Sequence, residues 1–140
     1  MNIIGGPAKV LAPIIEKKMA LPTFYPKDYE VANAVGAALA KITTEITMLA
    51  DTGRGTLSVP ELGIYEKVSS SYDLTDAKEY ALKLLEKSAL EMGADPDYLE
   101  LEIIEENSFN MVDGFFTRGK NIRVKAQVKP GLIHGLERDE

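Results

Sequence analysis

"ITTEITM", residues 42–48, decides what kind of fold this chain can adopt. Ile42, Thr44, Ile46 and Met48 alternate with Thr43, Glu45 and Thr47. A period of two marks a strand with one buried and one wet face, because successive side chains leave a strand on opposite sides. Before this point the apolar residues recur at helical spacing, and after it most of the pattern is β. The sequence therefore divides near residue 41 into two unlike parts.

Towards the C-terminus, "DTGRG" (51–55) is a turn, and "TLSVPELGIYEKV" (56–68) is extended but broken by Pro60 and Gly63. Asp73 or Thr75 can cap a helix over about 75–92, whose apolar stripe is Ala77, Ala81, Leu84, Leu85, Ala89 and Met92. Gly93 suits its C-terminal stop. "ADPD" (94–97) is a loop, and Leu99, Leu101 and Ile103 then alternate with Glu100 and Glu102. Residues 108–129 predict two strands around a turn at Gly119. In the second, Ile122, Val124, Ala126 and Val128 point one way and Arg123, Lys125, Gln127 and Lys129 the other. That gives one buried face and one wet basic face, which the glutamates of 100–106 can pair with across strands. Phe115-Phe116 reads as core, and the sequence after Pro130 as a tail without pattern.

Towards the N-terminus the idiom differs. Ile3-Ile4 reads as the end of a buried strand, followed by Gly5-Gly6-Pro7 and a helix with Val10, Leu11, Ile14, Ile15 and Met19 at helical spacing. Proline suits a first helical turn, where its missing N–H costs nothing, whereas Pro13 removes one helix bond. Leu21–Pro26 is extended, and Asp28 is the expected N-cap of a second helix through about Ala40. That helix is rich in small residues: Ala32, Ala34, Gly36, Ala37, Ala38 and Ala40, with Gly36 read as a close-packing position. The order β-α-β-α belongs to α/β sheets. The expected class is thus α/β in residues 1–41, then a mixed or antiparallel sheet covered by one helix in 42–130, α+β overall, with a flexible tail at 131–140.

Composition narrows the function. The chain has 140 residues, 45% of them hydrophobic, and a net charge of -6. An acidic balance argues against sequence-independent nucleic-acid binding, which needs a basic face. With no cysteine there is no disulfide, thiolate metal site or cysteine nucleophile, and one histidine excludes a histidine-rich centre. No apolar run approaches the roughly 20 residues that span a bilayer, and no leader pattern opens the chain. The expectation is a soluble cytoplasmic domain with neither nucleic acid nor membrane as partner.

A glycine pair between strand and helix lets the backbone approach a ligand, and the helix N-terminus offers N–H groups to a phosphate. An ordinary βα turn looks the same. The longer segment "IIGGPAKVLAPIIEKKMALPTFYPKDYEVANAVGAALA" (3–40) resembles the adenosine motif of the actin-like ATPase superfamily. Within it, "GGPAKVLAP" followed by "EVANAVGAALA" is most similar to the hydantoinase/5-oxoprolinase family near its C-terminal end. The resemblance implies a partial actin-like lobe. It places Gly5 and Gly6 against the adenosine and α-phosphate of ATP or ADP with Mg, and Pro7 and Ala8 at the opening of the helix beside them. The plainer reading of Lys9 is a solvated first-turn lysine, the other a positive charge near phosphates. Glu30 and Asn33 lie one turn apart and could meet a ligand together; a helix-cap acid and a backbone-bonded amide are the alternative. Family members hydrolyse a cyclic amide coupled to ATP cleavage.

In the superfamily the phosphate-gripping hairpin precedes the adenosine motif. The expectation is therefore a C-terminal piece, inactive alone, whose partner is the missing N-terminal lobe or another copy of itself, with a homo-oligomer expected in isolation. The alternative is a non-catalytic, self-associating or subunit module that keeps the nucleotide-domain fold. "DTGRGT" (51–56) looks like a phosphate hairpin but stands in the wrong order and reads as a bend. Asp95, Asp97, Glu100 and Glu102 lack calcium-loop spacing. Ser69–Ser71 reads as loop, and His134 as tail. No residue is assigned a catalytic or metal-binding role.

Overall fold

The computed structural model describes residues 1–133, so His134 and the rest of the expected tail lie outside the described residues. The chain forms two units, Met1–Ala40 with the segment from Leu132, and Lys41–Gly131. The class is α+β.

The second unit is a five-stranded antiparallel sheet under one helix. Its strands are β1 (Glu45–Asp51), β2 (Thr56–Val59), β3 (Ile64–Lys67), β4 (Leu101–Asp113) and β5 (Phe116–Val128), in the order β3-β2-β1-β5-β4. The central pair is β1 with β5, from Glu45 opposite Gln127 to Asp51 opposite Asn121. The period-two pattern is realised in the burial of Ile46, Met48 and Ala50 on β1 and Ile122, Val124, Ala126 and Val128 on β5. The assigned ladder begins at Glu45; just before it the Thr44 carbonyl accepts the Val128 N–H at 2.9 Å, while Ile42 and Thr43 of the predicted strand precede it. Pro60 and Gly63, read as breaks, bracket a 3-10 turn that connects β2 to β3.

The covering helix spans Leu74–Glu91. Among the three helices described here it is the third, α3, after α1 (Ala8–Met19) and α2 (Ala32–Leu39). Asp73 is its N-cap: one carboxylate oxygen accepts the N–H groups of Thr75 and Asp76 at 2.7 and 3.0 Å, while Asp76 accepts the N–H of Asp73 at 3.0 Å. This reciprocal box satisfies donors that a helix start leaves unbonded. Ala77, Ala81, Leu85 and Ala89 are fully buried against the sheet. Alanines at a spacing of four leave a flat stripe that lets α3 approach closely, and Leu85 fills the central gap. Met92, at the end of the predicted stripe, stays exposed beyond the last turn.

On the open face Arg123 and Lys125 of β5 pair across strands with Glu105 at 3.1 Å and Glu45 at 2.9 Å, and just beyond the strand Lys129 pairs with Glu100 at 3.3 Å. Glu100 also takes Lys41 at 2.7 Å, and these two cations hold its carboxyl below the usual range. The Lys41 N–H donates to the Gly131 carbonyl at 2.9 Å, so the two ends of this unit are tied side by side.

Two expectations fail in the β4–β5 hairpin. The turn is at Gly114-Phe115, not Gly119. Gly119 lies within β5, where a Cβ would sit 2.4 Å from the Gly53 nitrogen, so glycine there serves close approach of the 52–55 turn rather than chain reversal. Phe115 and Phe116 are not core: the tip reaches past β1 and leaves them 104% and 79% exposed.

The first unit is sparser. A parallel bridge joins Asn2 and Phe24, with Ile3 N–H donating to the Phe24 carbonyl and Phe24 N–H to the Met1 carbonyl. The β-α-β order is thus present, but the strands shrink to one bridge. Ile4 stays half exposed rather than buried, since among the described residues no second neighbour covers it. α1 packs through Ala8 and Ala12, not through its large apolar residues; Val10 is 69% exposed. Asp28 is not an N-cap. Residues 27–31 form turns and α2 starts at Ala32 without a side-chain cap. Gly36 has nothing within 4 Å of a Cβ position, so no close packing explains it. Beyond Pro130, where a tail was expected, Leu132 bridges Ala40 and the Ile133 N–H donates to the Leu39 carbonyl at 2.8 Å.

Two outcomes follow for the second unit. Leu85→Ala removes the side chain that fills the helix–sheet gap and should cost about 2–5 kcal/mol in urea unfolding. The second concerns Tyr72, whose hydroxyl donates to Met48 Sδ at 3.7 Å. Burial, followed by the charge of Asp76, pushes its phenol up to about 12. The unfolded phenol ionises near 10, so the fold favours the neutral form. Its stabilising contribution is complete below pH 10 and is lost as pH rises towards 12. The unfolding midpoint should fall more steeply over that window than in Tyr72→Phe.

Candidate functional site

The glycine turn lies wholly within the first unit. Gly5 is buried, with φ 102°, a left-handed conformation that a Cβ makes costly. Its N–H donates to the Tyr29 carbonyl at 2.7 Å, and its carbonyl accepts the Ala8 N–H at 2.9 Å. The chain is therefore held both to the segment before α2 and to the first turn of α1. Asn33, in the first turn of α2, places its Nδ2 3.5 Å from where a Cβ on Gly5 would stand. Gly5 and Asn33 are thus brought together, a pairing the sequence reading did not make.

Gly6 is different. It is exposed, its φ is not left-handed, and a Cβ there would have nothing within 4 Å. The fold of this chain does not require glycine at position 6. Pro7 and Lys9 are exposed beside it, whereas Ala8 is buried and packs rather than facing a ligand. No side chain caps the start of α1, and its first turn carries no acid. Such a helix start favours an anion through its N–H groups and dipole.

Glu30 does not share a helical face with Asn33, because it precedes α2 in the turn. Its carboxylate accepts the Tyr29 hydroxyl at 3.1 Å. Partial burial and that bond raise the Tyr29 phenol above its usual range. Tyr29, which holds Gly5 through its carbonyl and packs edge-on against Tyr25 at 5.2 Å, was not singled out in the sequence. Backbone acceptance carries no residue-type signal, so nothing in the pattern pointed to it. Thr23 was missed likewise: its hydroxyl is within bonding distance of the Ala12 carbonyl and of Glu16, at 3.1 and 2.9 Å, which pins the extended segment onto α1. An open depression of about 450 Å³ lies there, lined by Pro13, Glu16, Lys17 and Tyr25 among others.

The other motifs resolve into structure. Thr52, the buried polar residue of the 51–56 turn, donates its N–H to the Lys120 carbonyl at 2.9 Å and accepts the Lys120 N–H at 2.8 Å. Asp51 accepts the Arg54 N–H at 2.9 Å, so this turn is a bend locked to β5. Asp95 accepts the Asp97 N–H at 3.0 Å and Glu102 takes Gln127 at 2.6 Å, while Ser69 and Ser71 bond each other at 2.8 Å. Among the described residues no group of three or more His, Asp or Glu is placed to hold a metal ion. The uncapped start of α1 beside Gly6 suits an anion such as a phosphate; among the described residues no carboxylate cluster is placed to hold Mg.

Compared with protein-family models, curated proteins and solved structures, the chain finds no match. No helix among the described residues is long and apolar enough to cross a membrane.

The two glycines should separate on mutation. Gly5→Ala places a Cβ on a left-handed backbone and should lower stability by about 1–2 kcal/mol. Gly6→Ala should leave the unfolding free energy of the first unit within about 0.5 kcal/mol of the parent.

Proposed function

We propose that this chain supplies the adenosine side of a nucleotide site, as the C-terminal piece of an ATP-dependent cyclic amide hydrolase of the hydantoinase/5-oxoprolinase type. One observation carries the reading: Gly6 keeps open space beside the uncapped start of α1 although the fold does not demand glycine there. A residue without a Cβ that nothing among the described residues explains is what a closely approaching ligand needs. Gly5 and Asn33 would then line the ligand with Gly6, and Pro7 and Lys9 would stand at the phosphate end. ATP supplies the activation of the lactam oxygen, turning a poor electrophile into a better one. In this reading the chain's own residues bind and orient the nucleotide, while the grip on the γ-phosphate and its metal comes from another lobe. The isolated chain is inactive, and it works in the cytoplasm, where a protein without cysteine needs no oxidising compartment.

A second reading is favoured by a specific feature. Val10, Ile14, Phe24 and Val35 of the first unit are all about half exposed or more. Apolar residues in that number on a small unit mark a surface that another polypeptide covers. This supports a self-associating or subunit module, and it is compatible with nucleotide binding.

The test is calorimetric titration of the folded chain with Mg-ADP and Mg-ATP. Saturable binding that disappears in Gly6→Val, with an unchanged unfolding midpoint, is the expected result. A folded chain that takes up no nucleotide at millimolar concentration would leave the assembly reading alone.

A further inference from the structure

Among the described residues β4 is the outermost strand on its side of the sheet; it pairs with β5 on one edge and has no strand on the other. Natural edges are made unattractive by shortness, lysine, proline or bulges. β3, the opposite edge, has four residues and ends in Lys67. β4 has thirteen, with no proline and no lysine. Its bulge, at Ile104, lies near its start, and from Glu105 to Asp113 its residues pair in unbroken succession. The irregularity opposite Met111 and Val112 is taken up by β5, where Arg118 is the extra residue.

Three features make this edge self-complementary. The run Asn107-Ser108-Phe109-Asn110-Met111-Val112 carries no charge, proline or glycine, the composition that favours strand-to-strand pairing. The acids just before it are already held within the chain, Glu105 by Arg123 at 3.1 Å and Glu106 by Lys78 at 2.6 Å, so they do not repel a like surface. And β1 stops opposite Asn121, so the end of the hairpin is a two-stranded ribbon, marginal in water on its own. Along that ribbon Phe109 is 65% and Val112 69% exposed.

We propose that β4 pairs antiparallel with β4 of a second copy about a two-fold axis at Asn110, making one continuous sheet across both copies. The pairing sets Phe109 opposite Met111 and Ser108 opposite Val112. It brings the hairpin tip, with Phe115, beside the exposed Ile104 of the second copy. An isologous contact of this kind closes on itself and does not propagate into a fibre. The proposal shares self-association with the second reading above but places the contact on β4 of the second unit rather than on the apolar residues of the first; it is independent of nucleotide binding.

The chain contains no cysteine, so single cysteines report the register directly. At the axis the two copies of residue 110 face each other with Cβ atoms about 5 Å apart, whereas the two copies of residue 107 are separated by about 20 Å along the strands. Asn110→Cys should form a disulfide dimer under mild oxidation, and Asn107→Cys should not. Light scattering should give a dimer for the parent and a monomer for Phe109→Lys and for Val112→Lys, each with an unchanged circular dichroism spectrum. A dimer that survives both lysine variants, or that cross-links equally from positions 107 and 110, overturns this edge while leaving self-association standing. A parent that stays monomeric at every concentration overturns both.

Discussion

The β1–β5 pair, pressed against the alanine stripe of α3, is the contact on which the second unit depends. Two adjacent central strands turn Ile46, Met48 and Ala50, and Ile122, Val124, Ala126 and Val128, to one side. A sheet face of that kind is stable only when something apolar covers it. α3 can do so closely because three of its four buried residues are alanines. The remaining features of the unit answer to that packing. The box at Asp73 secures the start of α3, β2 and β3 extend the sheet on one flank, and the ion pairs of Arg123, Lys125 and Lys129 occupy the face that α3 leaves open.

The first unit obeys the same physics with less material. Its fully buried apolar side chains are those of Ala8 and Ala12, and its strands meet in a single parallel bridge. Hydrogen bonds do much of the positioning: Gly5 to Tyr29, Thr23 to Ala12 and Glu16, Ile133 to Leu39. Hydrogen bonds fix geometry but each contributes only about 1 kcal/mol net, whereas exposed valine, isoleucine and phenylalanine forgo burial worth about 1.5–3 kcal/mol apiece. The balance explains why this unit presents apolar surface outward.

The two units differ in how much of them was legible. Alternation at Ile46 and Met48 and along 122–128 and the stop at Gly93 act locally, through side-chain direction and backbone hydrogen bonding, and are found where the spacing puts them; of the two caps the sequence offers, Asp73 and Thr75, the structure takes Asp73. The site was legible in part. Gly5 and its junction with a helix could be read because strand, glycine and helix follow one another along the chain. The partnership of Gly5 with Asn33 and the role of Tyr29 followed from nothing in the pattern, since helical spacing pairs Asn33 with Glu30 and a backbone carbonyl makes the Tyr29 contact. Glu30 failed because it was assumed helical; without a side-chain cap, α2 begins only at Ala32.

By itself the sequence determined the change of period near residue 41, the α+β class, which strand faces are apolar, and where α3 begins and ends. These depend on neighbours a few residues apart. Only the tertiary structure decided that Gly119 is a point of contact with Gly53 rather than a turn, that Phe115 and Phe116 stand in solvent, and that the residues around Leu132 return to Ala40. The reason is common to all three. Hydrophobicity and turn chemistry state what a residue can do, but burial requires a neighbour, and the neighbour of Gly119 lies 66 residues earlier in the chain. At the hairpin tip β1 has already ended, so two phenylalanines with every intrinsic tendency to be buried find nothing among the described residues to bury them.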